Sequence, residues 1–407
     1  MKILYLAPSI GLTLEQSGGA GTHMRGTIQG FRDNGVEILP VIGGDVVEKK
    51  NGMPTPTTSQ PVKASTQQTG IKKIIKSLMP DKFRLFLRDM RTFYEDRKIE
   101  KLSYQSILEF SPDVIYERSG YLSTYGTRLA KKLRIPHLLE TDGCMIEVIS
   151  KDYGVFSERF GNWLEKRKLQ KADYAVVMNA MAVNPVSQKF NLPSDKFIVK
   201  TLGVSDQSYT VNKDTVEELK LKYSLHGKLV IGFVGAISLY HGVQYLVEAA
   251  RILQEQNQPD IVIVIVGWSK EAEQLQARAN ELGLTNLVFT GKVDKKEVGN
   301  YFSLFDAGVI PDAEENIYPV KVLEYGLFGL CPIVPGYEVF DEILQEGQTG
   351  YTFKPGNPES LAAKITSLVN QRNEVQHCAS NWEAFVKKHF QWKDTVKNII
   401  STLNSPR

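Results

Sequence analysis

Within the stretch ENIYPVKVLEYGLFGLCPIVPG, Glu315 to Gly336, the residues able to do chemistry are Pro319, Lys321 and Glu324. Proline suits the first turn of a helix, so Pro319 predicts a start there and leaves the N–H groups of Val320, Lys321 and Val322 as free donors. A lysine in a first turn opposes the helix dipole, so Lys321 at that place fits a helix that holds an anion. Glu324, one turn further on, can accept from two vicinal hydroxyls, as on a ribose. The competing reading is a Lys321–Glu324 surface pair worth a few tenths of a kcal/mol.

Four other places carry similar chemistry. SGGAGTHMRG, Ser17 to Gly26, sets Gly19, Gly21 and His23 between a strand and a helix, where backbone N–H groups can approach a phosphate. Met24 stands where a dinucleotide fingerprint needs its third glycine. Glu117 and Arg118 follow a strand and can pair with each other at a cleft edge. Glu140 and Asp142 close the next strand, pointing the same way by alternation. They are read as acceptors for substrate hydroxyls, with a helix cap by Asp142 as the equal alternative. Gly235 ends the strand of FVGAISLYHGVQ, and His241-Gly242 stands at the following helix start, where the dipole favours an anion. The sequence contains no Asp-x-Asp, so a metal-clamped donor site is not expected.

The elements that must position these residues are short apolar runs alternating with helical patterns. KILYLA, EILPVI, DVIYE, PHLLE, YAVVM and FIVK form one series, and LVIGFVG, IVIVIVG, LVFTG, AGVI, CPIV and GYTF a second. Runs apolar on both faces and separated by helices predict parallel sheets covered on each side. The expected fold class is α/β, with two doubly wound, Rossmann-like domains facing a central cleft. The expected divisions are residues 1–205, 206–390 and a C-terminal helix in 391–407 that packs anywhere, the first domain included. The polar stretch Thr201 to Asp214 is the expected hinge.

Composition sets the outer bounds. At 407 residues one core is too small, and 42% hydrophobic with 23% charged residues is ordinary for a globular chain. Forty-nine basic against 46 acidic residues gives +3, which argues against nucleic acid as a partner. Cys144, Cys331 and Cys378 lack metal-ligand spacing and read as reduced thiols. With no signal-peptide pattern and no apolar run of membrane-spanning length, a cytoplasmic protein is expected. Lys49 to Gly70, rich in Pro, Thr, Ser and Gln, reads as a mobile loop. The basic amphipathic region that follows, Ile71 to Lys101, can lie against an anionic membrane at its inner face or simply cover the sheet.

Taken together, GGAGTH with GFRDNGVEI, YERSGYLSTYGTRLAKKLRIPHLLETDG, FVGAISLYHGVQYLVEAARIL, IVIVIVGWSKEAEQLQARANELGLTNLVFTGKV and YPVKVLEYGLFGLCPIV resemble a retaining GT-B glycosyltransferase of family 4 over nearly the whole chain. The resemblance implies that the second domain binds a nucleotide-sugar donor and the first an acceptor: saccharide, lipid-linked or small molecule. It assigns Glu324 to the donor ribose and Lys321 with the Pro319–Val322 backbone to the diphosphate. His241 falls where many members carry a lysine for the same phosphates, and Gly19 to His23 match the opposing loop. Gly267-Trp268 and Gly291 to Val293 match the loops around the base. Asp142 falls near the transferred sugar, so Asp142, Lys321 and His241 are the catalytic candidates, with Glu117, Arg118 and Glu140 on the acceptor side. No cofactor and no metal are implied.

This chain departs from the family pattern at Asn316, where the first glutamate of a pair is usual, and at Ala236, where an arginine is common. These departures keep open a weak or inactive nucleotide-sugar-binding protein. A nucleotide-sugar epimerase of the same fold is disfavoured by the motifs. The implied role is sugar transfer with retention of configuration, in cell-surface polysaccharide or glycoconjugate synthesis.

Overall fold

In Ile261–Val266, IVIVIV, all six residues are buried, and so are all six of Leu229–Val234, because the parallel sheet they enter is covered on both faces. The structure, a computed structural model, describes residues 1–9, 11–15, 18–47, 49–50, 53–54, 79–205, 209–237, 241–313, 315 and 319–405. The expected loop from Lys49 to Gly70 lies outside these residues except for its first few, as do 71–78 of the basic region, 206–208 of the expected hinge, and Asn316.

The chain forms two units, Met1–Thr201 with Val396–Arg407, and Leu202–Thr395. The strands of the first are β1 (Lys2–Ala7), β2 (Glu37–Ile42), β3 (Asp45–Val46), a separate pair β4 (Lys49–Lys50) and β5 (Met53–Pro54), β6 (Val114–Arg118), β7 (His137–Glu140), β8 (Tyr174–Val177) and β9 (Phe197–Val199). Its main sheet runs β3-β2-β1-β6-β7-β8-β9, parallel except for β3. The strand order reverses between β1 and β6, which opens a crevice at their carboxyl ends.

The second unit has β10 (Leu229–Val234), β11 (Ile261–Val266), β12 (Leu287–Phe289), β13 (Ala307–Val309), β14 (Cys331–Pro335) and β15 (Tyr351–Phe353). They lie in the order β12-β11-β10-β13-β14-β15, all parallel, with the switch point between β10 and β13. Cys331 of β14 and Cys378 of the helix Arg372–His389 are buried in this unit's core as free thiols.

The segment from Trp392 is not one helix. Trp392–Thr395 stays with the second unit, where Val204 bridges Gln391, whereas Lys397–Asn404 belongs to the first. Val396 and Ile399 are fully buried beside Ile3, Tyr5 and Phe31, completing the first unit's core. The division therefore falls at 201/202 and 395/396, a few residues from 205/206 and 390/391.

Candidate functional site

In the second unit, the helix Val320–Leu327 begins at Pro319, which sits in the N-cap position. Two buried hydrogen bonds fix this helix: the Tyr325 hydroxyl donates to Val309 O at 2.8 Å, and Trp382 Nε1 to Val322 O at 2.9 Å. Its first turn is thereby held at the switch point beside β10 and β13.

Lys321 turns back over the end of β10. A Cβ on Gly235 would lie 2.2 Å from Lys321 Cε, so only glycine leaves room for this side chain, and the φ of +146° there suits glycine too. The ammonium stands 5.1 Å from the centre of the Phe233 ring. Among the described residues no carboxylate lies within ion-pairing distance of it. Burial lowers its pKa to about 8, with Glu324 working the other way. Val322 N–H already donates to Pro319 O at 3.1 Å, so Val320 and Lys321 supply the outward N–H groups of the turn.

Glu324 is not a surface partner of Lys321. Its Oε1 accepts from the Tyr209 hydroxyl at 2.5 Å, and burial raises its pKa while Tyr209 and Lys321 oppose the shift. Tyr209 is wedged edge-on against Phe302 and Phe328, so it presents the carboxylate in one orientation. No sequence pattern announces this contact, which spans 115 residues.

Gly242 (φ +68°) precedes the helix Val243–Glu255 and packs on Asp312; a Cβ added to it would lie 2.4 Å from that of Asp312. His241 has its pKa lowered to about 4, first by burial and then by Lys321, so it can contribute a neutral imidazole, not a charge. Gly267 and Gly291 form an antiparallel bridge beyond β11 and β12; Trp268 is exposed beside it and Val293 half-buried.

In the first unit, Glu140 lies at the centre of a buried polar cluster. His23 Nε2 is 3.0 Å from its Oε1 and Lys200 Nζ 3.3 Å from its Oε2, which also accepts from the Tyr116 hydroxyl. Lys200 Nζ further donates to Thr27 Oγ1 at 3.1 Å. Burial alone would raise the Glu140 pKa, but Lys200, His23 and Arg118 bring it down to about 2. His23 is held well below its ordinary value by burial and by Lys200, against Glu140. Gly19 and Gly21 lie in the first turn of the helix Gly19–Asp33, which this cluster ties to the ends of β6, β7 and β9. Glu140 is therefore a structural anion here, not an open acceptor for hydroxyls. Lys200 and Tyr116 were not singled out in the sequence; a lysine closing the apolar run FIVK was the available signal.

Glu117 and Arg118 do not pair. Strand alternation sends Glu117 to the other face of β6, where its Oε2 lies 2.8 Å from His137 Nε2, both residues buried. Arg118 instead reaches Asp142, Nη2 to Oδ2 at 3.5 Å. Arg118 Nη1 is buried without a hydrogen-bond partner among the described residues. A cavity of about 300 Å³ opens at the β1/β6 switch point, lined by the polar Arg118, Asp142, Ser119 and Ser9 and by apolar residues that include Met24 and Ile149. A guanidinium donor next to a partly exposed carboxylate can bind a neutral hydroxyl pair, donating to one oxygen and accepting from the other. Asp142 caps no helix: the N-cap of the helix Met145–Tyr153 is Cys144.

Comparisons with known proteins bear on the fold. Residues 216–385 match the family model of group 1 glycosyl transferases. Two uncharacterised glycosyltransferases of Methanocaldococcus jannaschii are similar, one 23% identical over 70% of this chain and 73% of its own. The other is 21% identical over 94% and 93%. The solved structure of HepE from Anabaena in complex with UDP superposes with a TM-score of 0.70 at 16% identity, covering all of both chains. The same Anabaena protein has also been solved with UDP-glucose. The fold is thus the α/β GT-B fold, and residues 216–385 of the second unit are similar to group 1 glycosyl transferases.

Proposed function

We propose that the protein is a retaining glycosyltransferase that moves a hexose-type sugar from a nucleotide-diphosphate sugar to an acceptor hydroxyl, in cell-surface polysaccharide or glycoconjugate synthesis. The observation that carries this is Lys321, laid over Gly235 at the β10/β13 switch point, beside a helix N-terminus and one turn before Glu324. Departure of the nucleoside diphosphate builds negative charge on its β-phosphate, and Lys321 with the Val320 and Lys321 N–H groups would stabilise it. His241 would add a neutral hydrogen bond. Glu324, oriented by Tyr209, would hold the ribose; Trp268 and Val293 would flank the base. No residue is assigned to a metal in this scheme. On the acceptor side, Arg118 and Asp142 would hold hydroxyls in the first unit's cavity. The leaving phosphate is the proposed acceptor of the attacking hydroxyl's proton, with no covalent nucleophile named. A cytoplasmic location, and contact of the Ile71–Lys101 region with an anionic membrane, belong to the same proposal.

The test is release of nucleoside diphosphate from a panel of nucleotide sugars, with and without saccharide and lipid acceptors and with chelator present. Turnover with one donor that falls at least ~100-fold in Lys321→Ala is expected. Tight nucleotide binding without turnover on any donor would instead make the protein a sugar-nucleotide binder.

A further inference from the structure

The carboxyl ends of the second unit's strands form a row, in the order β12-β11-β10-β13-β14-β15. The proposed donor scheme uses only part of it: Trp268 and Val293 follow β11 and β12, and Lys321 lies over Gly235 at the end of β10. The next two strand ends carry polar groups that this scheme leaves unused. Asp312 follows β13 and Tyr337 follows β14, and the Tyr337 hydroxyl donates to Asp312 Oδ1 at 2.9 Å. The same oxygen accepts from Ala313 N–H, also at 2.9 Å. On its other flank Asp312 packs on Gly242, the N-cap of the helix Val243–Glu255, where a side chain would collide with it.

The half-buried Asp312 carboxylate is thus held in one orientation, and among the described residues nothing hydrogen-bonds to its Oδ2. No ion pair of the second unit among these residues includes Asp312 either. The Tyr337 pKa is pushed up to about 12, first by burial, then by Asp312, with Glu315 and Tyr245 adding to the shift; no cation opposes it. Lys321 feels Glu324 and not Asp312, so the Asp312 carboxylate stands off from the ammonium. A fixed carboxylate without a counter-charge, one strand beyond a place for phosphate, works against phosphate binding unless it serves another group. It suits a neutral ligand rich in O–H donors, because an ionised carboxylate only accepts.

We infer that Asp312, oriented by Tyr337, accepts hydrogen bonds from hydroxyls of the transferred sugar, and that this sugar is a neutral hexose and not a uronate. The inference rests on nucleotide-sugar binding as proposed above and adds the residue that reads the sugar. A nucleotide that runs from Trp268 past Glu324 to Lys321 carries its sugar beyond the β-phosphate, toward the ends of β13 and β14. Hydroxyls arriving there meet the open Oδ2 as charge-assisted donors. A uronate would bring a second carboxylate against the first, and like charges at that range select against it.

The experiment is titration calorimetry of the full chain with the diphosphates of uridine, guanosine, adenosine and thymidine and with their hexose donors. UDP-glucuronate and GDP-mannuronate serve as the acidic counterparts of UDP-glucose and GDP-mannose. Asp312→Asn should weaken the tightest-binding hexose donor by ~10-fold or more while its parent diphosphate stays within ~2-fold of wild type. Tyr337→Phe, which removes a hydroxyl and no charge, should move the same ratio by ~3-fold. Wild type should bind the uronate at least ~10-fold more weakly than its neutral counterpart, and Asp312→Asn should narrow that gap. An equal loss for donor and diphosphate makes Asp312 a support for its loop alone and overturns the inference. So does a donor affinity that neither variant changes, a wild type that binds diphosphate but no hexose donor, or a uronate bound as tightly as the hexose. Failure of every nucleoside diphosphate to bind wild type removes the donor site itself, and that result alone sinks the earlier proposal together with this one.

Discussion

Replacing Lys200 with methionine tests whether the buried cluster is what holds the glycine-rich helix to its sheet. The side chain is fully buried, and the substitution keeps most of its bulk while deleting the ammonium near Glu140, His23 and Thr27. It leaves Glu140 buried without its main counter-charge, a change that typically costs about 3–5 kcal/mol. Burial also depresses the pKa of Lys200 itself, so wild type bears a desolvation cost that the variant escapes. The lower end, about 3 kcal/mol, is therefore expected. For a unit of this size that lowers the midpoint of its thermal transition by roughly 6–12 °C in calorimetry. Lys200→Met/Glu140→Gln should recover more than half of the loss, since no buried charge then lacks a partner. The pH dependence provides a second check. In wild type the Glu140 pKa is depressed from 4.5 to about 2, so its contribution is full above 4.5 and is lost as pH falls toward 2. In Lys200→Met burial dominates and the folded pKa lies above the unfolded one, so the penalty vanishes as Glu140 takes up a proton. The gap between the proteins should thus be widest near neutrality and close on acidification. A shift of less than about 2 °C, or a gap that widens in acid, would refute the reasoning.

Because the Lys321 pKa is lowered to about 8, nucleoside-diphosphate affinity measured by calorimetry should be constant below that pH and fall as pH rises through it, with proton uptake on binding. A flat profile across this range removes Lys321 from the phosphate site. Gly235→Ala forces a Cβ to within 2.2 Å of Lys321 Cε and should weaken diphosphate binding by ~10-fold or more, because the ammonium is displaced; unaltered binding would show that Lys321 works from another position. Glu117→Gln should lower stability by about 1–3 kcal/mol through His137 while leaving turnover per folded molecule unchanged; a selective loss of turnover would return Glu117 to the acceptor side. Tyr209→Phe frees Glu324 to rotate and should raise the KM for the donor several-fold with little change in kcat, whereas an unchanged KM would detach Glu324 from the ribose.

The strands were legible because apolarity on both faces is a local property: Leu229–Val234 and Ile261–Val266 announce a covered parallel sheet residue by residue. The helix start at Pro319 was legible for the same reason, since first-turn chemistry is written within a single turn. What stayed hidden depends on distant chain. Lys200 closes a strand and looks solvated until His23, 177 residues earlier, is folded against it. Glu117 and Arg118 looked like partners because they are neighbours, although the period of two in a strand parts them.

The segment after Thr395 has a bearing on biosynthesis. Val396 and Ile399 fill the core of the first unit, yet they are translated only after all of 202–395. The domain made first normally closes first as it leaves the ribosome. Here the second unit can complete its core while the first still exposes the surface that Val396 and Ile399 will cover. The order of completion is the reverse of the order of synthesis, and the first unit waits partly open for a segment made after its neighbour. Proteases and chaperones acting on the nascent chain would meet the first unit in that state, so a stop codon before Val396 should damage the N-terminal unit, not the one it follows.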